Sequence, residues 1–247
     1  MTKKQRFLPD PYFCVELLSR TVDPQTLVWQ SLHQDYSEHL VATEEQPSES
    51  AAGEIAVRHL LKGGRGHYGP LEGPSITFNV GYFPHSVMQQ ARTHRVGVSF
   101  DVQSMRYTGR RISDAATGAV DLEEVFYLRP VGEYTDRKGN KYRYTEQDRL
   151  KDLEYCEDAA DLYHSRVSRN FSEEHARGLL PFDYRQHFVV TFNMRSLMHF
   201  LDLRAKANAQ YEIHQMCNLL LPHFESWAPE IYSWYTQNRL GRALLAP

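Results

Sequence analysis

The 247-residue chain reads as a mixed α/β protein on three observations. Stretches with apolar residues at helical spacing, such as 51–61 and 147–170, are separated from short runs rich in β-branched and aromatic residues, such as 75–80 and 188–192. Val125–Tyr144 alternates aromatic and polar residues around Lys138-Gly139-Asn140, the pattern of a β-hairpin. The length fits one large domain or two small ones and suffices to bury a substantial core.

Taken in order, Phe13–Leu18 predicts a strand, and Asp23-Pro24 opens a helix running to Gln34. Glu44–Ser50 is a polar loop. Ala51–Leu61 predicts a helix with Ile55, Val57, Leu60 and Leu61 apolar and Gly63-Gly64 as its stop. Ser75–Val80 predicts a strand, and Pro84 suits the first position of a short helix with Val87, Met88 and Ala91 on one face. Gly97 breaks that helix, and an irregular polar run is expected through Tyr107. Asp114–Glu124 is acidic and expected at the surface. Gln147–Asn170 predicts a long helix with Leu150, Leu153, Tyr155, Ala159, Leu162 and Tyr163 on its apolar side. Ser172 caps a short helix that Gly178 and Pro181 end. Phe188–Phe192 predicts a strand, Ser196 a cap for a helix through Leu203, and Ala209–Ile213 the start of a C-terminal helix.

Composition narrows the function. Charged residues are 24% and hydrophobic ones 41%, and the net charge of −3 argues against non-specific nucleic-acid binding as the main activity. No apolar run approaches the roughly 20 residues of a membrane span, and the start MTKKQRFLPDPYFC has no apolar stretch of a secretory signal. Cys14, Cys156 and Cys217 lie far apart with no CxxC pair, so reduced thiols, no metal site and a cytoplasmic location are expected. None of the three cysteines has an activating context.

The basic residues concentrate in 84–111, PHSVMQQARTHRVGVSFDVQSMRYTGRR. Gln90 and His94 are four residues apart on one helical face, beside Arg92, Thr93 and Arg95. Arg106, Arg110 and Arg111 follow among amide and hydroxyl side chains. Such a stretch is either a phosphate site, where arginine forks bind bidentately, or a solvated basic surface. His67, in a glycine-rich loop, is either a turn residue or a ligand-facing one. Glu174 and Arg177 are spaced as an i,i+3 surface pair. At a strand-to-helix switch Asn193 and Arg195 can both face a ligand, whereas one continuous helix would point them apart.

The run THRVGVSFDVQSMRYT resembles the signature of flavin-dependent thymidylate synthases, Arg-His-Arg followed after seven residues by serine. Two departures stand out. Thr93 replaces the first arginine, and eight residues, Val96–Gln103, precede Ser104. Gly66-His67 with Glu72, Glu174-x-x-Arg177, and Asn193-x-Arg195-Ser196-Leu197 through Phe200 and Leu203-Arg204 are similar to further segments of the same family, in the same order.

The resemblance implies a single domain over 1–247, with the 125–144 hairpin an elaboration. Its core is expected to be a central, mostly antiparallel sheet flanked by helices, assembled as a homotetramer with sites shared between subunits. It implies reductive C5-methylation of dUMP to dTMP, with FAD as redox mediator and NADPH and methylenetetrahydrofolate as cosubstrates. Catalytic roles fall to Arg204 and His67. Gln90, Arg92, Gln103, Ser104, Arg106, Arg177 and Arg204 are expected on the nucleotide, Ser104 as a binding hydroxyl rather than a nucleophile. His67, Gly69, Thr93, His94, Arg95, Asp101, Asn193, Arg195 and His199 are expected on the flavin. No nucleic-acid or membrane partner is expected. Two other readings remain: a methylase accepting UMP as well as dUMP, and a flavin- or nucleotide-binding protein without turnover.

Overall fold

The computed structural model describes residues 10–62, 67–136, 138–206 and 208–242. The chain forms β1 (Cys14–Arg20), α1 (Pro24–Gln34), α2 (Glu49–Ala56) prolonged by a π-helical turn (Val57–Leu61), β2 (Ser75–Pro84), α3 (His85–Ala91), β3 (Val98–Val102), α4 (Met105–Thr108), α5 (Arg110–Ala116) and α6 (Leu122–Val125). It continues with β4 (Gly132–Thr135), β5 (Lys141–Tyr144), α7 (Glu146–Ser168), α8 (Glu173–Ala176), β6 (Arg185–Asn193), α9 (Met194–Arg204), α10 (Tyr211–Trp227) and α11 (Pro229–Asn238). No helix among the described residues is long and apolar enough to cross a membrane.

Four strands form one sheet in the order β1-β2-β6-β3, and β4 and β5 form a separate hairpin. Backbone bonds fix the directions. Met194 N donates to the Pro74 carbonyl (3.0 Å) and His85 N to that of Tyr184 (3.0 Å), bracketing β2 against β6. Asn193 N to Gly97 (3.0 Å) and Gln103 N to His187 (3.0 Å) bracket β3, and Thr21 N to Ser75 (2.9 Å) ties β1 to β2. In each bracketed pair partner numbers rise on one strand as they fall on the other, so the pairing is antiparallel.

The chain divides into two compact units. The first takes its described residues from 1–14, 81–89 and 102–188, the second from 15–80, 90–101 and 189–247. The first is built on α7, which opens with a capping box: Asp148 N donates to Thr145 Oγ1 (3.2 Å) and Thr145 N to Asp148 Oδ2 (3.0 Å). Its buried stripe is Cys156, Ala159, Ala160 and Tyr163, which meets Met105, Ile112, Val125 and Phe126. Leu150, Tyr155 and Leu162, expected on that side, are exposed; at 3.6 residues per turn they lie about a quarter turn or more from the stripe. A Cβ at Gly109 would come within 1.9 Å of the Tyr163 hydroxyl, so only glycine lets α5 start against α7. The second unit packs α9, α10 and α11 with the sheet through Phe78, Phe192, Leu197, Phe200, Met216, Leu220 and Phe224, all buried.

Several expectations need correction. The run after Gly97 is not irregular: 98–102 pairs as the edge strand β3, whose polar residues alternate outward, and Arg106 and Tyr107 lie in the short helix α4. Pro84 ends β2, and α3 starts one residue later. The 114–124 stretch, expected only as acidic surface, contributes to α5 and α6, with Ala115 buried and Asp114, Glu123 and Glu124 partly exposed. The hairpin strands are only 132–135 and 141–144; Phe126 instead bridges Tyr184. α11 had no separate signal. The expected Gly63-Gly64 stop lies outside the described residues, as does Gly66.

One buried charge ties the first unit together. Arg185, 1% exposed, donates to Asp10 Oδ1 and Oδ2 (3.0 and 2.8 Å), to the Glu123 carbonyl (2.7 Å) and to the Tyr82 carbonyl (2.8 Å). The rings of Tyr12, Phe13 and Tyr127 lie 4.9–5.6 Å from its guanidinium carbon. Removing one partner strands the other charge in a desolvated place. Asp10→Ala is expected to lower the unfolding free energy by about 3–5 kcal/mol, read from urea denaturation; a change below about 1 kcal/mol would mean that the pair contributes little.

Candidate functional site

In the second unit the predicted residues gather around the junction of β6 and α9. Asn193 keeps extended backbone (φ −76°, ψ 165°) and caps α9, its Oδ1 accepting from Ser196 N at 2.8 Å. Ser196, expected as the cap, sits one turn inside and donates its hydroxyl to the Val96 carbonyl (2.6 Å). Gly97 has φ +65°, and a Cβ there would come within 2.3 Å of both Asn193 Nδ2 and Ser196 Oγ. The 93–97 loop is thus pressed onto the start of α9 at a position only glycine fills.

From this junction α9 presents Arg195, His199 and Arg204. Arg195 pairs with Glu72 at 2.5 Å, in the turn that Gly69 opens; a Cβ on exposed Gly69 would meet nothing within 4 Å, and exposed His67 instead lines a cavity with Trp29, His33 and His59. Arg204 is held at the end of α3. Its Nε donates to His94 Nε2 (3.0 Å), and its Nη2 to Thr93 Oγ1 (3.1 Å) and, at 3.5 Å, the Gln90 carbonyl. The Gln90 side chain in turn donates to that of Gln210.

His94 is 8% exposed, with its ring edge-on to His199 (5.4 Å) and Phe200 (5.0 Å). Burial, then the neighbouring Arg204 and His199, lower its pKa to about 4, so at neutral pH it is uncharged and its Nε2 lone pair is free to accept. Burial also lowers the pKa of Arg204. His199 Nδ1 is buried and has no hydrogen-bond partner among the described residues.

The first unit holds the other group. Gln103 spends its side-chain oxygen on His187 N (3.3 Å), extending the β3–β6 ladder. Ser104 caps the start of α4 without a side-chain cap bond and is half-buried. Arg106 pairs with Glu174 at 2.6 Å, so the expected Glu174–Arg177 surface pair is replaced by a long-range one. Arg177 is exposed in the turn after α8. Back in the second unit, Arg92 and Arg95 are exposed in the turn after α3, and Asp101 is exposed on β3. Sequence reasoning missed Gln210 and the counter-ion roles of Glu72 and Glu174, which depend on contacts across long stretches of chain. Burial raises the Cys156 thiol to about 12 and pushes that of Cys217 up further, so neither is a thiolate nucleophile at neutral pH.

The profile of the family described as thymidylate synthase complementing protein matches residues 16–230. A flavin-dependent thymidylate synthase of Haloarcula marismortui is 32% identical over 246 residues, covering 92% of this chain and 97% of the relative. One of Halobacterium salinarum is 32% identical, covering 90% and 94%. Among solved structures, the UMP/dUMP methylase PolB of Streptomyces cacaoi bound with 5-Br dUMP superposes with a TM-score of 0.72 at 22% identity, covering 95% of this chain and 97% of that one.

The buried neutral His94 has a consequence for stability. An unfolded histidine takes up a proton near pH 6.5, but folded His94 does so only near pH 4. The unfolded chain therefore binds more protons between these values, and stability present above pH 6.5 is lost as pH falls toward 4. The loss is expected to reach about 3 kcal/mol. Denaturant unfolding of wild type and His94→Gln across this window checks it: the variant should show a shallower slope.

Proposed function

This chain belongs to the family of flavin-dependent thymidylate synthases, and from that premise we propose that it methylates C5 of dUMP to give dTMP. A carbon from methylenetetrahydrofolate bonds to C5, the C5 proton leaves, and NADPH supplies the reducing equivalents that turn the methylene into methyl. We place the reaction in the cytoplasm and in a homotetramer with sites shared between subunits.

The observation that carries this reading is the convergence of Arg204, His94, Thr93 and Gln90, drawn from two separate sequence segments, with Arg204 Nη1 making no hydrogen bond among the described residues. A guanidinium fixed by neutral acceptors is suited to an anionic pyrimidine edge. It stabilises negative charge spread over N3 and its neighbouring carbonyls, which makes C5 more nucleophilic without a covalent enzyme adduct. The inert thiols of Cys156 and Cys217 agree with a route that uses no cysteine nucleophile. We assign the nucleotide's phosphate to Ser104, Arg106 and Arg177, with Gln103 and Arg92 in support, and its base to Gln90 and Arg204. The Arg106–Glu174 pair is about half exposed on both sides and worth little, so a phosphate competes with it readily.

The residues fit a flavin. The orphaned His199 Nδ1 is supplied with a partner by ring nitrogens or carbonyls of such a group, and Asn193 Nδ2, Arg195 and Arg95 complete a donor set for its polar edge and diphosphate. His67, Gly69, His94 and Asp101 are the further positions assigned to it. A bound flavin carries the reducing equivalents from NADPH to the carbon unit.

The absorption spectrum of the purified protein, followed by anaerobic NADPH with dUMP or UMP, tests the reading. Bound flavin that bleaches faster with dUMP supports it; equal acceleration by UMP extends the substrate to ribonucleotides. No flavin after FAD is supplied would overturn it. Arg204→Ala is expected to keep the flavin spectrum and lose methylation at least a hundredfold, about 2.7 kcal/mol of transition-state stabilisation, whereas Ser104→Ala retains measurable turnover.

A further inference from the structure

The first signature arginine of the family is threonine here, and the geometry points to what that residue does. We propose that Thr93 is a positioning residue for Arg204, turning the guanidinium so that Nη1 faces the nucleotide base; this rests on the reading above.

The Thr93 hydroxyl is itself oriented. It donates to the Gln90 carbonyl at 2.7 Å, which leaves its lone pairs for Arg204 Nη2 at 3.1 Å. Arg204 Nη2 also lies 3.5 Å from the same Gln90 carbonyl, and its Nε is taken by His94 at 3.0 Å. Three neutral oxygen and nitrogen acceptors thus occupy one edge of the planar fork. With Nε and Nη2 both engaged, rotation about the last side-chain bonds is stopped, and the remaining edge is committed to one direction. Thr93 is exposed and Arg204 half-buried, so the hydroxyl sits at the mouth where the guanidinium meets solvent. Without it, Nη2 keeps only the long contact to Gln90, and water can draw the guanidinium outward. An arginine at position 93 could not do this work, since it offers donors only and would place a second cation beside the first.

The test compares Thr93→Val, Thr93→Ser and Thr93→Arg. Calorimetric binding of dUMP to the purified protein is measured beside steady-state turnover and flavin content. For Thr93→Val, dUMP affinity and kcat/KM are each expected to fall about tenfold, the loss of one hydrogen bond to a charged group, with flavin content unchanged. Thr93→Ser, which keeps the hydroxyl, should recover most of both, and Thr93→Arg should fall at least as far as Thr93→Val. Thr93→Val matching wild type would overturn the proposal. So would Thr93→Ser failing with Thr93→Val, or a loss confined to flavin content, which would place Thr93 on the cofactor. Wild-type protein that binds neither dUMP nor flavin would sink the underlying reading instead, and the two failures are told apart by that control.

Discussion

The change of backbone at Asn193, from the last residue of β6 to the cap of α9, is the constraint on which the second unit's cluster depends. The strand delivers the chain with side chains alternating, and the helix then advances about 100° per residue. Placing the change here sends Arg195 to Glu72 while His199 and Arg204, four and nine residues further on, reach the end of α3. The cap bond to Ser196 N satisfies a donor that the first turn of a helix leaves open. The adjoining loop is fixed to the same place from outside, since the Ser196 hydroxyl reaches the Val96 carbonyl and Gly97 leaves no room for a Cβ. A one-residue shift of this junction would rotate every α9 side chain about a quarter turn away from α3.

Much of the fold was legible because its signals are local. Pro24 set the start of α1 and Gln34 its end, as the structure has them, and the β-branched run of Phe188–Phe192 lies inside β6. What was not legible depends on distant partners. Nothing in VSFDV says that it is a sheet edge; its strand character comes from the ladder bonds at Asn193 and His187. On α7, Ala159 and Tyr163 lie on the buried stripe as the periodicity predicts, but Leu150, Tyr155 and Leu162, which weigh heavily in any such pattern, are exposed, and Cys156 and the small Ala160 complete the stripe. For the candidate site, the arginines and histidines were visible as motif residues. Their neutral holders and counter-ions were not, because Gln210, Glu72 and Glu174 act across 120 residues in Gln90–Gln210, 123 in Arg195–Glu72 and 68 in Arg106–Glu174.

These partners divide the arginines into two kinds. Arg195 and Arg106 have carboxylate partners at 2.5 and 2.6 Å, in places exposed enough that the pairing is weak and easily exchanged for a ligand's charge. Such residues suit the binding of phosphate, where water already solvates both competitors and the net change on exchange is small. Arg185 is the opposite case: fully buried, bound by Asp10 and stacked among rings, it is committed to structure.

Arg204 is neither. It is half-buried, yet its hydrogen-bond partners among the described residues are all neutral. A carboxylate in their place would orient the guanidinium equally well. It would also neutralise it: at about 4 Å and an effective dielectric of 20, the attraction is about 4 kcal/mol, against about 1 kcal/mol for a net neutral hydrogen bond. Any negative charge developing on a substrate would then have to compete with a permanent anion. Holding Arg204 with an imidazole, a hydroxyl and a carbonyl keeps its direction and leaves its field available. The same choice explains why His94 is buried. Were it exposed, its pKa would return toward 6.5, and in mildly acidic solution it would carry a charge that repels the group it holds. Burial keeps it an acceptor throughout the neutral range, so the aim of Arg204 and the neutrality of its holders come from one packing arrangement.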